Sequence, residues 1–277
     1  MRLGGPVFES YENPGQWVSA THALGYRAAF CPIEPDTPGD AVREYASAAG
    51  EHDIVIAEVG AWCNPISPDS ATRTAALDKC KRSLTLADTV GARCCVNIAG
   101  SRGEKWDGPC AGDLTEDTFD MIVESVREII DTVGPTRTFY TLETMPWMYP
   151  DSADSYLSLL RAIDRPRFAV HFDPVNLICS PQRYFDNAAI IEDFVARLGP
   201  HIKSCHAKDI LLQDRLTVHL DEVRPGCGQL DYRTYLGAIA QLPGDIPIML
   251  EHLSDAREYA AAADHIRAMA KAEGIGL

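Results

Sequence analysis

Residues 138–144 read TFYTLET, and residues 167–177 read RFAVHFDPVNL. Each is an apolar run that ends on a carboxylate, Glu143 in the first and Asp173 in the second. The pattern returns twice downstream, in Ser204-Cys205-His206-Ala207-Lys208-Asp209 and in Met249-Leu250-Glu251-His252. Short apolar runs of this kind read as buried strands. They lie about one strand–helix unit apart, and the carboxyl ends of parallel strands converge on one face of a barrel. Two Glu, one Asp and one His are therefore expected to meet there.

Outward from these segments, the chain alternates short β-rich runs with longer helical patterns, the signature of βα units and a parallel sheet. The strands are expected at Arg2–Phe8, Arg27–Cys31, Ile54–Ala61, Arg93–Ile98, Thr138–Thr144, Phe168–Asp173, Ile202–Ala207 and Ile246–His252. Eight strands close a (β/α)8 TIM barrel, an α/β fold. Helix ends support the reading. Pro14 opens the first helix and Gly25 closes it. Ser70 to Gly91 repeats Ala76, Leu77, Leu84, Leu86, Ala87 and Val90 at helical spacing. Thr115-Glu116-Asp117 begins another helix with acidic residues at the positive end of its dipole, and Asp255 to Ala272 is alanine-rich. No repeat, low-complexity tract or linker interrupts the chain, so residues 1–277 are expected to form a single domain. Two long loops, Gly100–Leu114 and Ile210–Leu230, fall on the carboxyl face, where barrels build active sites.

The 277 residues are a normal length for one such barrel, and a hydrophobic content of 46% supplies its core. The net charge of −15 repels phosphate backbones and disfavours a nucleic-acid partner. The nine cysteines are scattered, with no zinc-type CxxC pair, and read as free buried thiols. Neighbouring Cys94 and Cys95 should face opposite ways along a strand. MRLGGPVFES lacks the regions of a signal peptide, and no apolar run is long enough to span a membrane. A cytoplasmic enzyme is the expectation.

Burying Glu143 or Glu251 at the end of an apolar strand is costly without a partner, and a bound cation answers that cost for both. Oxygen ligands from Glu143, Asp173 and Glu251 with one imidazole from His206 suit Mn²⁺ or Mg²⁺, with Co²⁺ as a substitute. Zinc prefers more nitrogen or sulfur. Taken alone, each of the four is more often a salt-bridge partner or a helix cap than a ligand; the set, in the order Glu, Asp, His, Glu, is far more specific. His171 reads as an interior histidine lying deeper than Asp173, His219 as a solvated loop residue, and Cys205 as facing away from the site.

Five motifs complete the pattern: Leu142-Glu143, Phe172-Asp173-Pro174-Val175-Asn176-Leu177, His206-Ala207-Lys208-Asp209, Pro225-Gly226-Cys227-Gly228 followed by Asp231-Tyr232, and Leu250-Glu251. With these, essentially the whole chain resembles the xylose-isomerase-like barrel superfamily of sugar phosphate isomerases and epimerases. The resemblance implies that Glu143, Asp173, His206 and Glu251 hold one divalent metal, usually Mn²⁺, and that the two Glu move the proton. Dimers and tetramers are frequent among such relatives, so a homo-oligomer is one expectation. Two features depart from the ketose 3-epimerase pattern. Asn176 stands where a substrate-holding His is usual, and Asp209-Ile210-Leu211-Leu212 stands where an Arg follows the metal His.

The chemistry expected is carbohydrate chemistry on a small sugar or polyol. A divalent ion polarises a carbonyl and acidifies the neighbouring C–H. One of Glu143 and Glu251 takes that proton, and the other returns it to the opposite face of a cis-enediolate, giving epimerisation. Return to the adjacent carbon gives isomerisation. Loss of a β-leaving group makes the enzyme a lyase: a dehydratase, or an eliminase of a keto-sugar or keto-glycoside. Substrate contacts are expected from Asn176, Lys208, Asn97, Trp62 and Arg224, with Trp106 and Trp147 also in carboxyl-face loops; for Lys208 a salt bridge to Asp209 is an equal reading. An abasic-site endonuclease would need many more histidines at strand ends. A non-catalytic sugar-binding protein would tolerate loss of Glu143 or Glu251, yet both are present.

Overall fold

A computed structural model describes residues 1–277. Eight strands close a parallel barrel: β1 (Arg2–Gly5), β2 (Ala28–Phe30), β3 (Val55–Gly60), β4 (Cys94–Asn97), β5 (Phe139–Glu143), β6 (Phe168–Phe172), β7 (Ile202–Ala207) and, last in the chain, β10 (Pro247–Leu250). β10 pairs with both β1 and β7 and completes the ring. A two-stranded antiparallel hairpin, β8 (Asp209–Leu212) and β9 (Leu220–Val223), stands outside it. That hairpin falls in the stretch read from sequence as an irregular loop.

The strands are shorter than the sequence pattern suggests, for local reasons. β1 stops at Gly5 rather than Phe8 because Pro6 has no N–H to donate to a ladder. Phe8 lies exposed and packs on the Tyr259 ring at 5.3 Å. β10 stops at Leu250 because His252 turns into the left-handed region, φ 58°.

Helix boundaries follow the caps. The helix Ser70–Val90 starts behind Asp69, whose carboxylate accepts from Thr72 N, and ends on Gly91 at φ 79°. Thr115 caps Glu116–Val133, which ends on Gly134. Asp255 caps Ala256–Ala272. The main core lies between strands and helices, around Trp17, Tyr140, Tyr156, Phe172 and Phe194. Inside the ring, Ala28, Ala57 and Met249 form a separate small cluster. Gly4 makes room for it, since a Cβ there would sit 2.7 Å from the Met249 sulfur. All nine cysteines are free, but only Cys80, Cys94, Cys95 and Cys205 are buried; Cys179 and Cys227 are exposed. No helix is long and apolar enough to cross a membrane.

The barrel has a cavity at each end. One, about 590 Å³, opens at the carboxyl ends of the strands. The other, about 430 Å³, lies at the amino ends, between Val55, Arg93, Phe139, Lys203 and Ile246.

Candidate active site

Period-two alternation decides what reaches the carboxyl-face cavity. Along β7 and its end, Ser204, His206 and Lys208 point inward, while Cys205 and Ala207 join the outer core. His171 and Asp173 alternate likewise with Val170 and Phe172, and Glu143 with Leu142. As a result, one ligand atom each from Glu143, Asp173, His206 and Glu251 lies within 4.8 Å of all the others. His206 Nδ1 is 3.0 Å from Glu143 Oε1, 2.8 Å from Glu251 Oε1 and 3.9 Å from Asp173 Oδ2.

Neighbours fix each side chain in place. Asp173 Oδ1 accepts from Val175 N (2.9 Å) and Asn176 N (3.3 Å), which leaves Oδ2 facing the cluster. Tyr235 Oη donates to His206 O (2.8 Å) and Tyr232 Oη to Lys208 O (2.7 Å), anchoring the end of β7 from the following helix. Asn176 Nδ2 donates to Glu143 Oε1 at 3.2 Å. The buried Lys208 ammonium is 2.8 Å from Asp173 Oδ2, 3.7 Å from Glu143 and 3.6 Å from Glu222, and also contacts Glu251. It does not pair with Asp209. That carboxylate instead accepts four backbone N–H groups, from Ile210, Gly226, Gly228 and Leu230. The glycines of PGCG permit the approach: a Cβ on Gly228 would lie 2.4 Å from Asp209 Oδ1, and Gly226 has φ 90°.

One residue that the sequence reading passed over stands beneath the cluster. Glu58 Oε1 is 3.1 Å from His206 Nε2, and Oε2 is 2.9 Å from His171 Nε2 and 3.0 Å from Ser204 Oγ. A carboxylate on the far nitrogen of a ligating imidazole orients the ring and raises its basicity. Here that frees Nδ1 for the cluster.

The electrostatics separate the two glutamates. Burial raises the Glu143 carboxyl, and the Glu251 charge adds to it, against His206 and Lys208. Glu251 is lowered: burial opposes its charge, but His206 and Lys208 outweigh it. Burial likewise opposes the Glu58 charge, yet His206 and His171 hold it at about 2. His206 and Lys208 are raised well above their ordinary values by the carboxylates around them, against burial. A pair of carboxyls with pKa values driven apart is what acid/base work at one site needs.

The donor set also fits a hard divalent ion. It comprises three buried carboxylates and one imidazole. Asp173 Oδ2 and Glu251 Oε1 are buried and accept no hydrogen bond of good geometry. Asp173 Oδ2 faces Lys208 at 2.8 Å and Glu251 Oε1 faces His206 Nδ1 at 2.8 Å, and a divalent ion between them would take the lone pairs these contacts leave open.

Of the other residues read as substrate contacts, Asn176, Lys208 and Trp62 line the cavity, together with Trp106 and Trp147. Asn97 does not. Val96 and Ile98 take the inward positions on that strand, and Asn97 faces out with Cys95, its amide used on Cys63 N (3.1 Å) and Cys63 O (3.2 Å). Arg224 does not either: its guanidinium pairs with Glu258 at 2.9 Å. Glu222, carried over the mouth by the hairpin, and His252 join the lining and meet at 3.1 Å.

A family model described as "Xylose isomerase-like TIM barrel" matches residues 18–270. No curated protein matches the sequence. Solved structures share the fold at low identity. A D-psicose 3-epimerase solved in the presence of D-fructose has 13% identity and TM-score 0.71, with 100% of both chains covered. A probable 3-DHS dehydratase from Bacillus anthracis has 17% identity and TM-score 0.70, covering 97% of this chain and 98% of its own. A xylose isomerase-like TIM barrel protein from Mycobacterium smegmatis, in complex with magnesium, has 15% identity and TM-score 0.66, covering 95% and 90%.

Proposed function

The chain belongs to the xylose isomerase-like TIM barrel family, and from that premise we propose that it is a divalent-metal-dependent sugar or polyol isomerase or epimerase. Glu143 and Glu251 are its acid/base pair. The observation that carries this reading is the meeting of Glu143, Asp173, His206 and Glu251, from four strand ends, within 4.8 Å. These four would hold the metal, and Mn²⁺ fits the oxygen-rich set. When bound, the ion polarises a substrate carbonyl and lowers the acidity barrier of the adjacent C–H.

The chain's own residues do the rest. One of Glu143 and Glu251 takes the proton, and the other delivers one from its side of the cavity. Lys208 lies 3.7 Å from Glu143 and 2.8 Å from Asp173, suited to steady negative charge on a substrate oxygen. Glu58 holds His206 in the ring orientation the centre requires. Asn176 donates to Glu143 and orients it.

A lyase on the same scaffold is the second reading, favoured by one observation. Asn176, an amide that donates a hydrogen bond but carries no titratable proton, stands in the cavity where 3-epimerases are expected to use a His. The fold neighbours, a 3-epimerase and a probable dehydratase, support one reading each. Incubation with ketoses, inososes and keto-glycosides plus Mn²⁺ in heavy water separates them. Solvent deuterium in recovered sugar is expected for the isomerase or epimerase, and a new enone absorbance for the lyase. Neither signal with any sugar, at full metal loading, refutes both.

A further inference from the structure

Three of the chain's four tryptophans, Trp62, Trp106 and Trp147, line the carboxyl-face cavity, and the fourth, Trp17, is buried in the core. Each of the three keeps 37% of its surface exposed. They come from three different loops, after β3, β4 and β5. Partly exposed indoles concentrated round one opening form an apolar surface that invites a ligand.

The wall is built rather than accidental. Trp62 has φ 29°, a conformation non-glycine residues avoid. Its indole lies against Gly60, where a Cβ would sit 2.1 Å from Nε1. Asn64 Nδ2 donates to Ser101 O (2.7 Å), tying the Trp62 loop to the Trp106 loop. Trp147 Nε1 donates to Asp107 O (3.1 Å), tying the third loop to the second. A surface held this way loses little entropy when it binds.

The cavity thus has two halves. Its floor carries Glu143, Lys208 and Glu251, and its outer wall carries the indoles. Its volume, about 590 Å³, falls in the range of pockets that bury drug-sized molecules, ~300–1,000 Å³. A bare hexose has only about a dozen heavy atoms, few for a cavity of that size. We propose that the substrate is a keto-glycoside, with its oxidised sugar ring over the carboxylate floor and a flat apolar aglycone between the tryptophans; plain glycosides serve as unreactive binding probes. This rests on the floor being where the sugar reacts. A second copy of the chain is the weaker occupant, because the indoles line the same cavity as the carboxylates rather than an outward face.

Binding tests it directly. The Mn²⁺-loaded chain is titrated calorimetrically with phenyl and methyl β-D-glucopyranoside, and with the matching galactosides. The phenyl member of at least one pair is expected to bind about tenfold tighter or more, as stacking on an indole implies. Trp62→Ala and Trp106→Ala should each remove most of that preference, the phenyl glycoside losing more affinity than the methyl one. Gly60→Ala, which forces the Trp62 indole to shift without touching ligand, should reduce it too. Circular dichroism confirms that each variant is folded.

Equal affinities, no binding by either pair, or a preference that survives both tryptophan variants overturns the proposal. Protection of the indoles from acrylamide only at concentrations where the chain self-associates also overturns it, by assigning the wall to a second copy. Failure of the floor reading is distinguishable. There the phenyl preference persists while the heavy-water experiment gives neither deuterium nor enone.

Discussion

The two ends of the barrel carry cavities of similar size and opposite character. At the amino ends, about 430 Å³ is bordered by Arg93 and Arg137, both exposed, and by partly buried Lys203. The charges of Arg137 and Lys203 are spent locally. Arg137 donates to Asp88 O (2.9 Å), and Lys203 donates to Pro200 O (3.1 Å) and lies over the Phe139 ring. At the carboxyl ends, Glu58, Glu143, Asp173, His206 and Lys208 are all buried, and two carboxylate oxygens lack a well-aligned donor. Cavity volume does not distinguish the ends. Buried ionisable groups do, because burying charge is tolerated only where something compensates for it.

The largest effect should come from the two glutamates. Glu143→Gln and Glu251→Gln are each expected to lower turnover at least about a hundredfold, with the far-ultraviolet circular dichroism spectrum preserved. Near-normal turnover in either would dissolve the contrast between the two ends. Next, Glu58→Gln removes the anchor of His206 Nε2, and Mn²⁺ affinity by calorimetry should fall about 10–100-fold. Unchanged affinity would reduce Glu58 to packing.

A smaller effect concerns acid stability of the metal-free chain. Glu58 is held at about 2 against an ordinary 4.5. Its contribution is therefore fully present above pH 4.5 and lost as the pH falls through 2. Glu143 has the opposite sign, since a raised carboxyl favours the fold at low pH and weakens it as the pH rises. Thermal melts should show a flatter acid limb for Glu58→Gln, and less loss of stability above pH 4.5 for Glu143→Gln. Smallest of all, Lys203→Ala and Arg137→Ala at the amino ends should leave turnover unchanged and shift stability by no more than about 1 kcal/mol. A large loss of activity there would give the second cavity a role.

Much of the site was legible because strand alternation is regular at Glu143, Asp173, His206 and Glu251, each closing an apolar run at one expected height. The same rule, applied more strictly, would have excluded Asn97, which shares its outward face with Cys95. Glu58 was not legible, and the reason is a break in alternation. Ala29 pairs with Ile56 but Phe30 pairs with Glu58. This bulge lets consecutive Ala57 and Glu58 both face the interior, Ala57 against Met249 and Glu58 against the two histidines. The hairpin that brings Glu222 to the mouth was not legible because Leu220-Asp221-Glu222-Val223 lacks the period-two alternation of a strand.

The amino-acid order alone determined the repeating strand–helix plan and the chemical type of the residue ending each strand, because both are local consequences of side-chain periodicity. Only the closed ring decided which of those ends share a hydrogen-bond network, which amide is wasted on a neighbouring loop, and that three distant tryptophans border one opening. Those are long-range contacts, set by register and curvature that no single segment encodes.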